Sequence, residues 1–147
     1  MQNQASHSAP GIETAPSKPL QSVGAFIGGF LIVAMLSTAA DALCHRTGIY
    51  PPEGEAMAAG LWVLALAYRA VFQCLGGCVT AMLAPRNPRK HVLFLAVFGT
   101  IMAIAGAAAN WDKGPGFGPP WYPITLALIS FPTVWAGYLV YRRRNPA

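Results

Sequence analysis

The chain has 147 residues, of which 54% are apolar and only 10% are charged. Soluble domains carry about 25% charged residues, so this composition excludes an ordinary water-facing surface and favours an integral membrane protein. The net charge of +5 does not indicate nucleic-acid binding, because the basic residues cluster beside apolar segments, as topology signals do.

Residues 1 to about 20 are rich in Ser, Pro, Ala and Gln and lack apolar periodicity, which predicts a disordered tail. An apolar segment follows at about 22–44. It contains Ala40-Asp41-Ala42, which loosely matches a signal-peptide cleavage site, but the apolar stretch is longer than the core of a usual signal peptide. We therefore interpret it as the first membrane span of a single domain that covers residues 21–147.

Three further apolar segments lie at about 58–83, 91–109 and 121–141. Each has about the 20 residues that a helix needs to cross a ~30 Å hydrocarbon core. The short alternating segments of a membrane barrel are absent. The predicted fold class is therefore all-α, a membrane bundle of four transmembrane helices.

The basic residues predict the orientation of the spans. The connection between spans two and three carries three of them, and the C-terminal tail carries three more, whereas each of the other two connections has one basic residue beside acidic ones. The positive-inside rule then places both termini in the cytoplasm. The six residues are Arg86, Arg89, Lys90, Arg142, Arg143 and Arg144.

Arg69 lies in an apolar run that contains no other charge between Leu61 and Leu83. An arginine at bilayer depth costs at least ~2.5–3.5 kcal/mol unless it has a partner. With a rise of 1.5 Å per residue, Arg69 lies about 12 Å deep and Asp41 about 6 Å below the end of span one. If spans one and two form an antiparallel hairpin, the two charges lie in the same half of the bilayer and form a pair.

Gln73 lies four residues after Arg69 and so on the same face of span two. Two interpretations of this polar face stay open. Asp41 and Arg69 form an internal ion pair that fixes helix register, or they belong to a site for a substrate, a proton or a lipid headgroup.

Small residues predict which helix faces pack inside the bundle, because membrane helices approach most closely at such residues. Span one has Gly24-x-x-x-Gly28, span two has Gly76, Gly77 and Thr80, and span three has Gly99, Thr100 and Gly106.

The connection before span four is rich in glycine, proline and aromatic residues, and it contributes further candidate residues. Asn110 and Asp112 are predicted to approach Arg69 from this loop. A second interpretation is a rigid turn, in which Trp111, Trp121 and Tyr122 anchor the chain at the membrane interface. A third possibility is a binding loop for a headgroup or a protein partner.

No residues predict a cofactor, a metal site or a catalytic centre. Cys44, Cys74 and Cys78 lack the spacing of a zinc site or a disulfide framework, and no nucleophile–base pair is visible. An enzyme acting on a lipid or quinone therefore has little support in the sequence.

The chain resembles a family of small, uncharacterised bacterial membrane proteins with four spans. The resemblance rests on Asp41-Ala42-Leu43, Tyr68-Arg69, Leu83-Ala84-Pro85 with its basic loop, and the segments Trp111 to Pro115 and Trp121 to Pro123. It implies a location in the bacterial inner membrane and brings no activity with it.

These observations together predict a non-enzymatic, accessory or structural membrane protein with an intramembrane Asp41–Arg69 pair. The alternative is a small-molecule or proton-coupled transporter that forms oligomers. The expected partners are membrane lipids and either a protein partner or further copies of this chain, without nucleic acid.

Overall fold

The computed structural model describes residues 18–52, 54–114 and 117–145. Within these residues the chain forms four helices and no strand: α1 (Lys18–Arg46), α2 (Ala59–Leu83), α3 (Pro88–Asn110) and α4 (Trp121–Arg144). Each helix is long and apolar enough to cross a membrane. The predicted all-α fold with four spans is confirmed.

The helices begin or end within a few residues of the predicted bounds, except at the start of α1. Residues 18–20 belong to α1 and not to the predicted tail, of which residues 1–17 lie outside the described part of the chain. α2 stops at Leu83 because the residue before Pro85 avoids the helical region, and Ala84 is extended with ψ 123°. Pro88 then starts α3, where its missing N–H costs nothing.

Helix α2 is the central element of the bundle, since it packs extensively against both α1 and α4. Helix α3 packs mainly against α4, and its contact with α1 is the smallest of the principal helix interfaces. Rings form much of that small contact: Phe26 of α1 meets Phe94 and Phe98 of α3 at centroid distances of 5.1 and 5.2 Å. The seam between α1 and α3 is therefore the least closed side of the bundle.

The two ends of the bundle differ in charge, and we name them accordingly. The basic end holds the 84–87 connection and the C-terminus of α4, with the six basic residues given above. The site end holds the 47–58 and 111–120 connections. Every acidic residue in the described ranges, namely Asp41, Glu55 and Asp112, belongs to the site end.

Glycines set how closely α2 approaches its neighbours. A Cβ on Gly76 would lie 2.8 Å from the carbonyl oxygen of Gly29 in α1, and one on Gly77 would lie 2.1 Å from the carbonyl oxygen of Val134 in α4. On the α4 side, a Cβ on Gly137 would lie 2.0 Å from the carbonyl oxygen of Cys74. Since consecutive residues point about 100° apart on a helix, the Gly76-Gly77 pair opens two adjacent faces of α2 at one level.

Of the other predicted glycines, Gly28 lies close to α2, since an added Cβ would be 3.0 Å from Leu83 Cδ1, whereas the rest meet no neighbour. Gly24, Gly99 and Gly106 have no heavy atom within 4 Å of an added Cβ, so these glycines are not where helices cross. Gly29, which lies next to Gly28 of the predicted motif, makes the closer approach, and the Thr80 hydroxyl fills the space where its Cβ would be.

Two clusters of buried apolar residues stabilise the two ends. The cluster near the basic end is aliphatic and consists of Ala81, Val92, Leu95, Ala96 and Val134. The cluster at the site end is mainly aromatic and consists of Tyr50, Trp62, Ala65 and Tyr122. This second cluster forms one wall of the candidate site.

Candidate functional site

The Arg69 guanidinium of α2 and the Asp41 carboxylate of α1 form an ion pair with an N–O distance of 2.5 Å. The hairpin of α1 and α2 places the two residues at the same level, as the sequence argument requires. The side chains retain 23% and 33% of their exposure, respectively, so the pair is not sealed within the bundle.

Two tyrosines extend the bonding on the Asp41 side. The Tyr68 hydroxyl donates to Asp41 Oδ1, while Arg69 donates to Asp41 Oδ2, so each carboxylate oxygen accepts a bond. Tyr68 and Arg69 are consecutive residues, and the carboxylate lies between their diverging side chains. The Tyr50 hydroxyl lies 3.2 Å from that of Tyr68 and connects the pair to the 47–58 connection.

A third tyrosine extends the bonding on the Arg69 side. Arg69 Nη1 donates to the Tyr122 hydroxyl at 2.5 Å, which joins α2 to the start of α4. The Tyr122 ring is held by Trp62, with centroids 4.6 Å apart. Arg69 therefore links α1, α2 and α4, and the guanidinium also lies 5.5 Å from the centroid of the Tyr68 ring.

Burial disfavours ionisation of the bonded tyrosine of the connection, Tyr50. Tyr50 is only 5% exposed, and burial raises its pKa above the usual value of 10.0. The ring is further held by His45, at a centroid distance of 5.3 Å, and the His45 ring nitrogen Nδ1 bonds to the Pro51 carbonyl at 2.9 Å. The connection is thereby fixed against the end of α1.

A cavity of about 870 Å³ opens beside the ion pair. Its wall combines the charged pair with aromatic rings and with residues of the 47–58 connection. The charged and polar lining residues are Thr38, Asp41, His45, Arg46, Glu55 and Arg69, and the aromatic ones are Tyr50, Trp62, Phe117 and Tyr122. Among the described residues, the lining therefore contains both carboxylate and guanidinium groups.

Arg69 also borders a second, smaller cavity of about 220 Å³. This cavity is lined by the last turns of α3 and the first turns of α4, and it includes Asn110 and Trp111. Arg69, Phe117 and Tyr122 line both cavities, so they form the partition between them. An altered position of Arg69 would change the separation of the two spaces.

The loop candidates are only partly brought to the pair. Tyr122 bonds to Arg69 directly, and Asn110 shares the smaller cavity with it, although its own amide donates to the Gly106 carbonyl at 2.8 Å. Asp112 lines a different cavity of about 610 Å³, which Arg69 does not border. The expected approach of Asp112 to Arg69 is therefore not found.

The two tryptophans of the loop remain largely at the surface. Trp111 and Trp121 are 54% and 38% exposed, which agrees with the alternative that they anchor the chain at the interface.

Gln73 belongs to a separate polar cluster. Its amide nitrogen donates to the Ser130 hydroxyl of α4 at 3.2 Å, and its amide oxygen accepts from the Thr133 hydroxyl. These two residues flank Pro132, where the helix lacks a backbone donor. Gln73 lies one helical turn from Arg69, but it ties α2 to α4 and does not join the ion pair.

The described residues contain no group of three His, Cys, Asp or Glu side chains that could hold a metal ion. Cys44, Cys74 and Cys78 are free thiols, and the helical turn from Cys74 to Cys78 is where Gly137 of α4 makes its close approach. The close packing of that turn explains these two cysteines as small residues at a helix crossing.

Tyr50 and Tyr68 are the site residues that sequence reasoning missed. Tyr68 offers only a weak signal: it neighbours Arg69 in the sequence and carries a hydroxyl donor, although consecutive residues on a helix point about 100° apart. Tyr50 had no such signal, since its position depends on the path of the 47–58 connection.

Comparisons with known proteins identify no relative of this chain: no family model, no curated protein and no solved structure matches it.

Proposed function

We propose that this chain is a small, non-enzymatic membrane protein of accessory or structural type, in which Asp41 and Arg69 hold one end of the bundle together. The observation that carries this proposal is the bonding of Arg69 to Asp41 of α1 and to Tyr122 of α4. Both ends of the ion pair are thus satisfied by protein groups, and no ligand is needed to explain an arginine at this depth.

The proposal includes a location in the bacterial inner membrane with both termini in the cytoplasm. The charge asymmetry supports this orientation, because all the described acidic residues belong to the site end and six basic residues belong to the other end. The resemblance to small bacterial four-span proteins supports the location. The protein then acts through its contacts with lipids and with either a protein partner or further copies of itself.

A double-mutant cycle tests the ion pair. Arg69→Met and Asp41→Leu each leave one unpaired charge in the bundle. We expect each to lower the free energy of unfolding by about 2–3 kcal/mol, less than the about 3–5 kcal/mol for a fully buried pair, because both side chains are partly exposed. The double variant should recover most of the loss, since no charge remains. Unfolding of the detergent-solubilised protein and its abundance in membranes are the measurements.

Arg46→Met is the matched control, because Arg46 is an exposed arginine at the same end and makes no ion pair among the described residues. It should leave the free energy of unfolding unchanged within about 0.5 kcal/mol. A double variant that is as unstable as the sum of the two single variants would refute the proposed role of the pair.

A second candidate function, transport of a small polar molecule or a proton, is favoured by the cavities. Arg69 is 23% exposed and lies between two spaces of about 870 and 220 Å³. A group in this position controls passage if the partition moves. Such a transporter requires that water reaches the pair from the site end.

Thiol labelling tests the second candidate. In a variant whose three native cysteines are replaced, Thr38→Cys places a thiol in the wall of the large cavity, and Ala81→Cys places one in a fully buried position near the basic end. Transport predicts that a membrane-impermeant thiol reagent modifies the first and spares the second. Equal protection of both positions would exclude the transport function.

A further inference from the structure

A groove opens at the basic end between α1 and α3, on the side of the bundle that is least closed. It has a volume of about 340 Å³ and is lined by Ser22, Val23, Phe26, Lys90, His91 and Phe94. Its walls along the helices are apolar, and Lys90 lies at one end of it. The groove is separate from the ion pair, and nothing in its interpretation depends on the proposed function.

The apolar part of the groove is shaped by exposed side chains that face outward from the bundle. Val23 and Phe94 are 52% and 60% exposed, and the Phe26 ring packs against the Phe94 ring at a centroid distance of 5.1 Å. In a membrane-spanning bundle these surfaces contact hydrocarbon chains. A slot between two helices, parallel to the chains and lined by apolar side chains, suits one acyl chain of a lipid.

The polar end of the groove carries a positive charge that no acidic residue in the described ranges offsets. Lys90 lies in the first turn of α3, where the helix dipole already contributes about half a positive charge, and that turn contains no acidic residue. Arg86 and Arg89 lie within four residues of it, and no acidic residue of the described ranges belongs to this end. Such an arrangement repels further cations and is stabilised by an anion.

We propose that this groove binds an anionic phospholipid, with one acyl chain between Val23, Phe26 and Phe94 and the phosphate beside Lys90. Charge complementarity selects this occupant. A zwitterionic lipid brings its own cation to a surface that has an excess of them, whereas a lipid with a net negative charge relieves the repulsion. Clusters of basic residues next to membrane spans attract anionic lipids by this mechanism, and the groove converts a diffuse attraction into a defined site.

The binding of lipids to the full-length protein in mild detergent tests this proposal. Native mass spectrometry measures the affinity for dioleoyl phosphatidylglycerol and for dioleoyl phosphatidylcholine, which share their acyl chains and differ in net charge. We expect phosphatidylglycerol to bind more tightly. Lys90→Gln should weaken it by about fivefold, the effect of one basic residue near the surface.

Arg144→Gln is the matched control, because it removes the same charge at the same end from α4, a helix that does not line the groove. It should change the affinity by less than twofold. Val23→Trp fills the groove without changing any charge, and we expect it to abolish selective binding of phosphatidylglycerol while the protein remains folded, as circular dichroism and gel filtration verify.

Several results would overturn the proposal. Equal affinity for the two lipids would show that charge does not select the occupant. Equal losses of affinity for phosphatidylglycerol in Lys90→Gln and Arg144→Gln would indicate a general electrostatic attraction without a defined site. Full affinity in Val23→Trp would show that the lipid does not occupy the groove. Saturable binding of sn-glycerol 3-phosphate as tight as that of the lipid would assign the site to free phosphate compounds.

Discussion

Replacement of Gly137 by alanine tests whether the close crossing of α2 and α4 positions the site. An added Cβ would lie 2.0 Å from the Cys74 carbonyl oxygen and 2.7 Å from the Cys78 nitrogen, which are both backbone atoms. Ordinary contact begins at 3.4 Å, so the helices must separate by about 1.4 Å, the difference between 3.4 and 2.0 Å. Because backbone atoms of a packed helix cannot rotate away, the strain falls on the whole interface.

The expected cost follows from the energetics of overpacking. Extra methyl groups forced into a packed interior lower the free energy of unfolding by about 1–3 kcal/mol. Separation of α2 from α4 also stretches the bond between Arg69 and Tyr122, which is 2.5 Å long and joins the same two helices. We therefore expect Gly137→Ala to lower the free energy of unfolding by an amount in the upper part of this range and to increase the exposure of Arg69.

Gly99→Ala is the matched control. Alanine favours a helix over glycine by up to about 1 kcal/mol at either position, but an added Cβ at Gly99 meets no atom within 4 Å. The difference between the two variants therefore isolates the steric effect. The measurement is the unfolding of the detergent-solubilised protein by SDS, monitored through tryptophan fluorescence. Equal stability of Gly137→Ala and Gly99→Ala would refute the reasoning.

Three further predictions concern individual bonds. Tyr122→Phe should lower the free energy of unfolding by about 1.5 kcal/mol, the low end for a bond to a charged group, because the Arg69 side chain is partly exposed. An unchanged free energy of unfolding in the same SDS assay would contradict this expectation. Gln73→Leu should lower the free energy of unfolding by about 0.6–1.7 kcal/mol, from the mean to the maximum for polar contacts between membrane helices. It should leave thiol labelling of Thr38→Cys in the large cavity unchanged. Altered labelling would mean that Gln73 shapes the site. Burial raises the pKa of Tyr50, so its contribution to stability is complete below pH 10 and declines as the pH rises above 10, where the unfolded chain ionises first. Tyr50→Phe should therefore show a smaller loss of thermal stability between about pH 10 and 11 than the unmodified protein, and equal losses would count against this origin.

The close approaches show where small-residue patterns predict packing and where they do not. Gly76 and Gly77 lie at crossings because α1 and α4 both pack on α2, while Gly99 and Gly106 of α3 meet nothing. The sequence contains the same type of residue in each case. A glycine permits a close approach, but the neighbouring helix decides whether the approach occurs.

The sequence alone determined the class of protein, the number of spans and the level of the two intramembrane charges. These properties follow from apolar length and from a fixed rise per residue, which are local quantities, and they place Asp41 and Arg69 together once α1 and α2 form a hairpin. The asymmetry of basic residues between the two ends is equally local.

Only the tertiary structure decided which groups complete the site. The 47–58 connection brings Tyr50 to the pair, the start of α4 brings Tyr122, and Gln73 turns toward Ser130 and away from Asp41. Such contacts join residues up to 60 positions apart, and they depend on the order in which the helices pack around α2. No local pattern contains that order, because an apolar helix in a membrane has several faces on which a neighbour can pack.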